Sequence, residues 1–213
     1  MKIEKIKPSE IEQKSFAIIT EELKEQGINL EEDKAFLIKR CIHTTADFDY
    51  ARTMAFSHQA IPQMAELIRQ GAHIVTDTNM ALSGINKRIL GEYGGEAHCF
   101  MADPEVADEA KSRGVTRASV SMEYAARLPH KVIFAVGNAP TALIRLREMI
   151  DTGEFIPDFV IAVPVGFVNV ISGKEGIMET RVPYIVNTGR KGGSNVAAAI
   201  CNAVLYEMKK GNL

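Results

Sequence analysis

The chain is predicted to fold as a doubly wound α/β domain: a mainly parallel, five-stranded sheet with helices on both faces and extra helices at the amino end. Three observations predict this. Five short, almost wholly apolar runs recur between residues 72 and 186, as expected for strands buried on both faces. Stretches long enough for helices fill the intervals, which parallel strands need to return to the same edge. Polar or glycine-bearing turns follow the runs, where strand hands over to helix.

In chain order, Pro8 to Gln26 reads as a helix. Pro8-Ser9 opens it, Ile11, Phe16, Ile19 and Leu23 recur at helical spacing, and Gly27 closes it. Ser15 lies inside it, next to Phe16. A second helix is expected from about Leu30 to His43, with Glu31, Glu32 and Asp33 suited to the positive end of its dipole. Ala35, Leu37, Ile38 and Ile42 form its apolar face, and Thr44-Thr45-Ala46-Asp47 ends or bends it. A third helix runs from about His58 to Gln70 and stops at Gly71.

The strands follow: Ala72–Thr76, Ala97–Met101, Lys131–Val136, Phe159–Val163 and Tyr184–Val186. Helices open near Asn79 and near Asp103-Pro104, and a long terminal one spans about Ser194 to Lys210. No internal repeat or low-complexity tract interrupts this order, so residues 1–213 are read as one domain.

Composition narrows the function. With 213 residues the chain buries enough apolar surface to need neither disulfides nor a structural metal. A net charge of -2 leaves no global footprint for nucleic acid or an anionic membrane. The three cysteines, Cys41, Cys99 and Cys201, have no framework or zinc spacing. The charged start, Met1-Lys-Ile-Glu-Lys-Ile-Lys-Pro8, lacks a signal-peptide core, and no apolar run approaches a membrane span. A cytoplasmic protein without a membrane partner is the expectation.

Candidate chemistry collects in two places. The first is Arg40 to Asp47, where Arg40 and His43, three apart, share a helix face and the free carbonyl end favours positive charge. That is a potential acid beside a potential carboxylate clamp; a partly buried structural histidine is the other reading. The second is the carboxyl rim of the sheet, where open parallel sheets bind ligands. Thr76-Asp77-Thr78-Asn79-Met80, Gly137-Asn138-Ala139-Pro140-Thr141, Pro164-Val165-Gly166-Phe167-Val168 and Gly189-Arg190-Lys191-Gly192-Gly193-Ser194 all fall there. Each alone is compatible with turn chemistry, and their joint placement favours a site. The Gly189–Ser194 turn, opening a helix, suits phosphate, carboxylate or simple capping, but is neither a Walker A nor a dinucleotide fingerprint. His73 and His98 lie in apolar strands and read as packing residues, while His58 and His130 sit at element edges without an evident partner. No metal site is expected on these histidines.

Several of these strings occur together in one known family. Arg40-x-Ile42-His43-Thr44-Thr45, Asp77-x-x-Met80, Thr116-Arg117, Gly137-Asn-Ala-Pro-Thr-Ala-Leu143, Pro164-Val-Gly-Phe-Val168, Lys174-Glu175 and Gly189-Arg-Lys-Gly-Gly-Ser194 follow in order. The chain thereby resembles the precorrin-8X methylmutases, including the cobalt-precorrin-8 methylmutases of cobalamin biosynthesis, over nearly its whole length. The resemblance implies a flavodoxin-like sheet, a homodimer and no cofactor. It implies a 1,5-sigmatropic methyl shift from C11 to C12 of a corrinoid polycarboxylate, precorrin-8X or cobalt-precorrin-8, giving hydrogenobyrinate or cobyrinate.

By the same resemblance His43 is the catalytic residue, Ser15 and Arg40 bind substrate, and Arg117 meets a substrate carboxylate. Thr44, Asp77, Met80, Gly137, Asn138, Thr141, Arg190, Gly192, Gly193 and Ser194 complete the expected substrate contacts. The chain departs from the family at Ser172-Gly173, where Glu-Ser is usual. Two other readings are a corrinoid carrier without catalysis and a flavodoxin-like enzyme holding a phosphorylated ligand on the Gly189–Ser194 turn.

Overall fold

The structure, a computed structural model, describes residues 7–213; the charged stretch 1–6 lies outside the described residues. Helices α1 (Pro8–Glu25) and α2 (Glu32–Thr45) come first, and a one-turn helix α3 (Tyr50–Thr53) runs directly into strand β1 (Met54–Phe56). Helix α4 (Ala60–Arg69) leads to β2 (His73–Thr76), the short helices α5 (Asn79–Gly84) and α6 (Lys87–Glu92), and β3 (Ala97–His98). A 3-10 turn at Phe100–Ala102 precedes α7 (Pro104–Arg113) and α8 (Arg117–Ala125). Then come β4 (Val132–Val136), α9 (Pro140–Asp151), β5 (Phe159–Ala162), α10 (Val170–Met178), β6 (Tyr184–Asn187) and α11 (Ser194–Lys210).

The sheet has six strands in the order β1-β6-β5-β4-β2-β3. The expectation of five is corrected by β1, which pairs antiparallel with β6 through Met54↔Asn187, Ala55↔Val186 and Phe56↔Ile185. Three half-buried residues on an edge leave no apolar run to read. The other pairings are parallel. The expected strand Ala97–Met101 is also shorter, because the chain turns at Phe100 before the proline-led helix α7.

Alternation along the strands builds two cores. Val132, Phe134 and Val136 of β4 join Val160, Ala162 and Val186 under α8, α9 and α10. Ile133 and Ala135 join Ile74, Phe159, Ile161 and Ile185 under α1, α2, α4 and α11. Helix α11 lies centrally in that second layer, where Ile200, Cys201, Val204 and Leu205 have no exposed surface. Helix α2 packs along it in the opposite sense: Arg40 faces Tyr206, while the chain just beyond α2 meets Lys191, just ahead of α11. The end of α2 is thereby brought to the carboxyl rim of the sheet. No helix of the described residues is long and apolar enough to cross a membrane.

Candidate active site

His43 stands in the last turn of α2, exposed, with its ring 5.3 Å from that of Phe16. Helix α2 ends just beyond it on Ala46, an alanine in the left-handed region at φ 53°. The hydroxyls of Thr44 and Thr45 turn back to the carbonyls of Arg40 and Cys41, as threonines in a helix's last turn do. Asp47 begins the turn that follows. Its Oδ1 accepts from the Asp49 amide, and its Oδ2 accepts from Lys191 Nζ at 2.6 Å. The Lys191 pair holds the Asp47 carboxyl below its usual range.

Beside His43 runs an open groove of about 230 Å³, bordered by Arg40, His43 and Thr44 on one side and Gly84 of α5 on the other. Its floor is a stripe of α11: Asn195, Ala198, Ala199, Asn202 and Tyr206, spaced so that all face one way. Gly84 permits this approach, since a Cβ there would lie 2.8 Å from the Cβ of Ala198. Asn202 fastens the far wall, donating to the Gly84 carbonyl at 2.8 Å and accepting from the Asn86 amide at 2.8 Å. Met80, one turn before Gly84 on the same face of α5 and 71% exposed, extends that wall toward the rim.

On the other side of Arg40 is a larger hollow of about 690 Å³ between α1, α2 and α11. The Arg40 guanidinium lies 4.8 Å from the Phe16 ring centre and 5.3 Å from that of Tyr206, so it is held between two aromatic faces. Its Nη2 donates to Glu12 Oε1 at 2.7 Å, and that bond holds the Glu12 carboxyl below its usual range. Arg40 is thus fixed between the two hollows with a carboxylate already on its fork.

At the rim, most of the expected contact residues hold the turns to one another. The sheet order reverses between β2 and β4, the position where open α/β sheets leave a crevice. Asp77 fills it: without exposed surface, it accepts from the amides of Gly137, Asn138 and Ala139 at 2.8, 2.7 and 2.6 Å. Burial pushes its carboxyl above the usual range, against those three donors. Expected as a substrate contact, Asp77 here has its oxygens turned inward on the amides where a ligand anion would sit.

Gly137 in turn lies against Gly193 and Ser194, and the Ser194 hydroxyl sits 2.8 Å from that of Thr78. The Gly193 amide donates to the Val163 carbonyl at 2.9 Å, and a Cβ at Gly192 would come within 2.0 Å of that same oxygen. Gly137, Gly193 and Ser194 are buried, so they act through the path of the backbone. Lys174, 1% exposed, donates to the carbonyls of Gly189 and Lys191, both at 2.8 Å. Arg190 is exposed, with its guanidinium 5.3 Å from the Phe167 ring centre.

The remaining expected residues line neither of the two hollows. Ser15 donates to the Ile11 carbonyl within α1 and borders neither hollow. Arg117, exposed, opens α8, whose cap Thr116 donates to the Thr141 hydroxyl at 2.8 Å. These two, with exposed Asn138, belong to helix starts over the opposite face of the sheet. Sequence reasoning missed Glu12, Lys174, Asn195, Asn202 and Tyr206 as parts of the site. The asparagines alone left a trace, in a stripe of small and polar residues along an otherwise apolar helix.

A family model described as CbiC, precorrin-8X methylmutase, matches residues 10–207. The cobalt-precorrin-8 methylmutase of Salmonella typhimurium is 43% identical over 207 residues, covering 95% of this chain and 97% of that protein. The precorrin-8X methylmutase of a Sinorhizobium species is 32% identical, covering 91% and 92%. A solved structure titled as a precorrin-8X methyl mutase from Thermus thermophilus superposes with a TM-score of 0.84 at 35% identity, over 96% of this chain and all of that one.

Proposed function

Because this chain belongs to the precorrin-8X methylmutase family, we infer that it is a methylmutase, an isomerase of cobalamin biosynthesis acting on a precorrin-8 macrocycle. The observation that carries this is the family match across residues 10–207, which takes in His43 and every rim turn. The reaction we propose is migration of one methyl group, with its bonding pair, from C11 to C12 of the ring. Nothing enters or leaves the molecule.

We assign His43 the acid role. Its ring N–H donates to the nitrogen of ring C, drawing electron density from the conjugated system so that C12 accepts the methyl. The proton returns to the imidazole as the product chromophore forms. A positioned general acid contributes typically about 10²–10⁴-fold. The open groove supports this role, since it presents His43 and Arg40 on one wall. Arg40 is assigned to a peripheral carboxylate of the substrate.

Two further readings complete the proposal. The groove is open to solvent, and Phe167 and Val168 on the rim are 81% and 77% exposed. Such a patch favours a homodimer in which a second copy helps to enclose the macrocycle. The five parallel strands, taken in chain order, run 2-1-3-4-5, and we read them as a flavodoxin-like core with one antiparallel strand added. Free cysteines fit a cytoplasmic enzyme.

The test is conversion of precorrin-8X and of cobalt-precorrin-8 under anaerobic conditions, followed by visible spectra. Wild-type protein is expected to turn over at least one of them. His43→Ala should lose about a hundredfold or more while still binding the corrinoid. Binding without turnover by the wild type would make the protein a carrier. Turnover by His43→Ala within about tenfold of wild type would remove the acid role.

A further inference from the structure

Three of the five histidines meet on the face of the sheet away from His43. His73 opens β2, His98 ends the edge strand β3, and His130 precedes β4. Their rings form a stack: His130 lies 4.0 Å from His73 with planes 10° apart, and His73 lies 5.0 Å from His98 with planes 19° apart. The ring nitrogens of His73 and His98 point at each other, Nδ1 to Nε2 at 2.8 Å. The Glu96 carboxylate stands 3.8 Å from the same Nε2. One ligand atom from each of His73, Glu96 and His98 falls within 4.8 Å of the other two.

We propose that His73, His98 and Glu96 form a binding site for a divalent transition metal of the zinc class, which clamps the edge strand β3 to β2. Two imidazoles and a carboxylate are a borderline-soft donor set suited to Zn²⁺, with a fourth position left for water. Tetrahedral bonds of about 2.0–2.1 Å set ligand atoms about 3.3 Å apart, so the histidine pair opens by about 0.5 Å to admit the ion. The backbone under these side chains is fixed. His73 N–H donates to the Lys131 carbonyl at 2.8 Å, and Ile74 N–H donates to the Glu96 carbonyl at 2.8 Å. His73 is 7% exposed, whereas the side chain of Glu96 is 72% exposed and free to swing onto an ion.

The clamp answers a weakness in the fold. Strand β3 contributes only Ala97 and His98, paired to Ile74 and Val75. An ion held by His98 of β3 and Glu96 just ahead of it, and by His73 on the next strand, would tie that edge down. The arrangement is separate from the proposed methylmutase site, so the two can be tested independently.

The experiment uses full-length protein without a histidine tag, stripped with chelator and dialysed against Zn²⁺, then against Co²⁺. One bound ion per chain is expected, with a rise in Tm of roughly 5–10 °C at a hundredfold excess over Kd. Co²⁺ should give the intense visible absorption of a tetrahedral centre. Glu96→Gln, at an exposed position that the fold does not need, should weaken binding at least about tenfold, and His98→Gln should abolish it. No stoichiometric ion in the wild type, or equal binding in His98→Gln, overturns the proposal. That outcome leaves His73 and His98 as a pair sharing one proton.

Discussion

The Lys174 ammonium donates to the Gly189 carbonyl at 2.8 Å from a position with 1% exposure. It also donates to the Lys191 carbonyl, and the Lys191 side chain reaches Asp47 and Asp49, just past the end of α2. One buried cation on α10 is thus connected, through a single turn, to the residues that position His43. Replacing it with a chain of similar length tests that connection. In Lys174→Met the Gly189 carbonyl loses this donor, while the Lys191 carbonyl keeps the Asn187 amide at 2.8 Å. We expect a loss of about 1–3 kcal/mol in urea unfolding and faster amide exchange at Gly192 and Gly193. Exchange at wild-type rates would show that the turn holds without the lysine.

The same residue gives stability an unusual dependence on pH. Burial pushes the Lys174 pKa from 10.5 down to about 8. Between those values the unfolded chain binds more protons here than the folded one, so this group makes stability rise with pH. Cys41 and Cys201 act oppositely: burial raises both thiols from 9.0 to about 12, and their contribution falls once pH passes 9. The wild-type urea midpoint is therefore expected to climb between about pH 8 and 9 and then to turn down. Lys174→Met should keep the fall and lose the climb. A climb of equal size in the variant would place its origin elsewhere.

Gly137 is required by closeness. A Cβ there would sit 2.7 Å from Ser194 Cα and 2.8 Å from both the Gly193 carbonyl oxygen and the Ser194 nitrogen. All three are backbone atoms, so none can rotate away. Gly137→Ala must displace the start of α11, or the 137–139 turn that Asp77 grips. Overpacking of this kind costs about 1–3 kcal/mol. We expect corrinoid affinity to fall with stability, because the shifted turns shape the rim. A variant with unchanged Tm and unchanged corrinoid affinity would show that the two turns have slack.

What the sequence disclosed follows from the range of the interactions involved. The apolar run Val132–Val136 announced a strand buried on both faces, and all five of its residues are buried. The terminal helix was legible from end to end because Gly193 and Gly211 bracket it. Strand β1 was not, since its three residues pair with β6 partners 129 to 133 positions away and show no alternation. At the site, His43 and Arg40 were legible as neighbours on one helix. Asp77 was recognisable as unusual, but whether its carboxylate faced a ligand or the amides of Gly137 to Ala139 depended on a contact across some 60 residues. The histidine cluster was hidden for the same reason. His73, His98 and His130 come from three separate elements, and no spacing in the chain links them.

Glu12 poses the sharpest question about substrate entry, because it already occupies the cation we assign to a substrate carboxylate. Arg40 cannot easily turn elsewhere, being held between Phe16 and Tyr206 with its side chain 15% exposed. Glu12, at 59%, is the mobile partner. An incoming carboxylate must then displace Glu12, and the free energy of that pair is subtracted from substrate binding. Pairs this exposed are worth about 0.2–1 kcal/mol, which sets the scale of the effect. Glu12→Gln removes the competing charge while keeping the shape of the side chain. It should tighten corrinoid binding by roughly twofold to fivefold and change the stability by no more than about 1 kcal/mol. The gain should shrink in high salt, where exposed charges are screened. Arg40→Ala should weaken binding, and adding Glu12→Gln to it should bring no improvement, since the two side chains act through one contact. An equal gain from Glu12→Gln with and without Arg40 would mean that Glu12 repels the substrate from a distance instead of guarding Arg40.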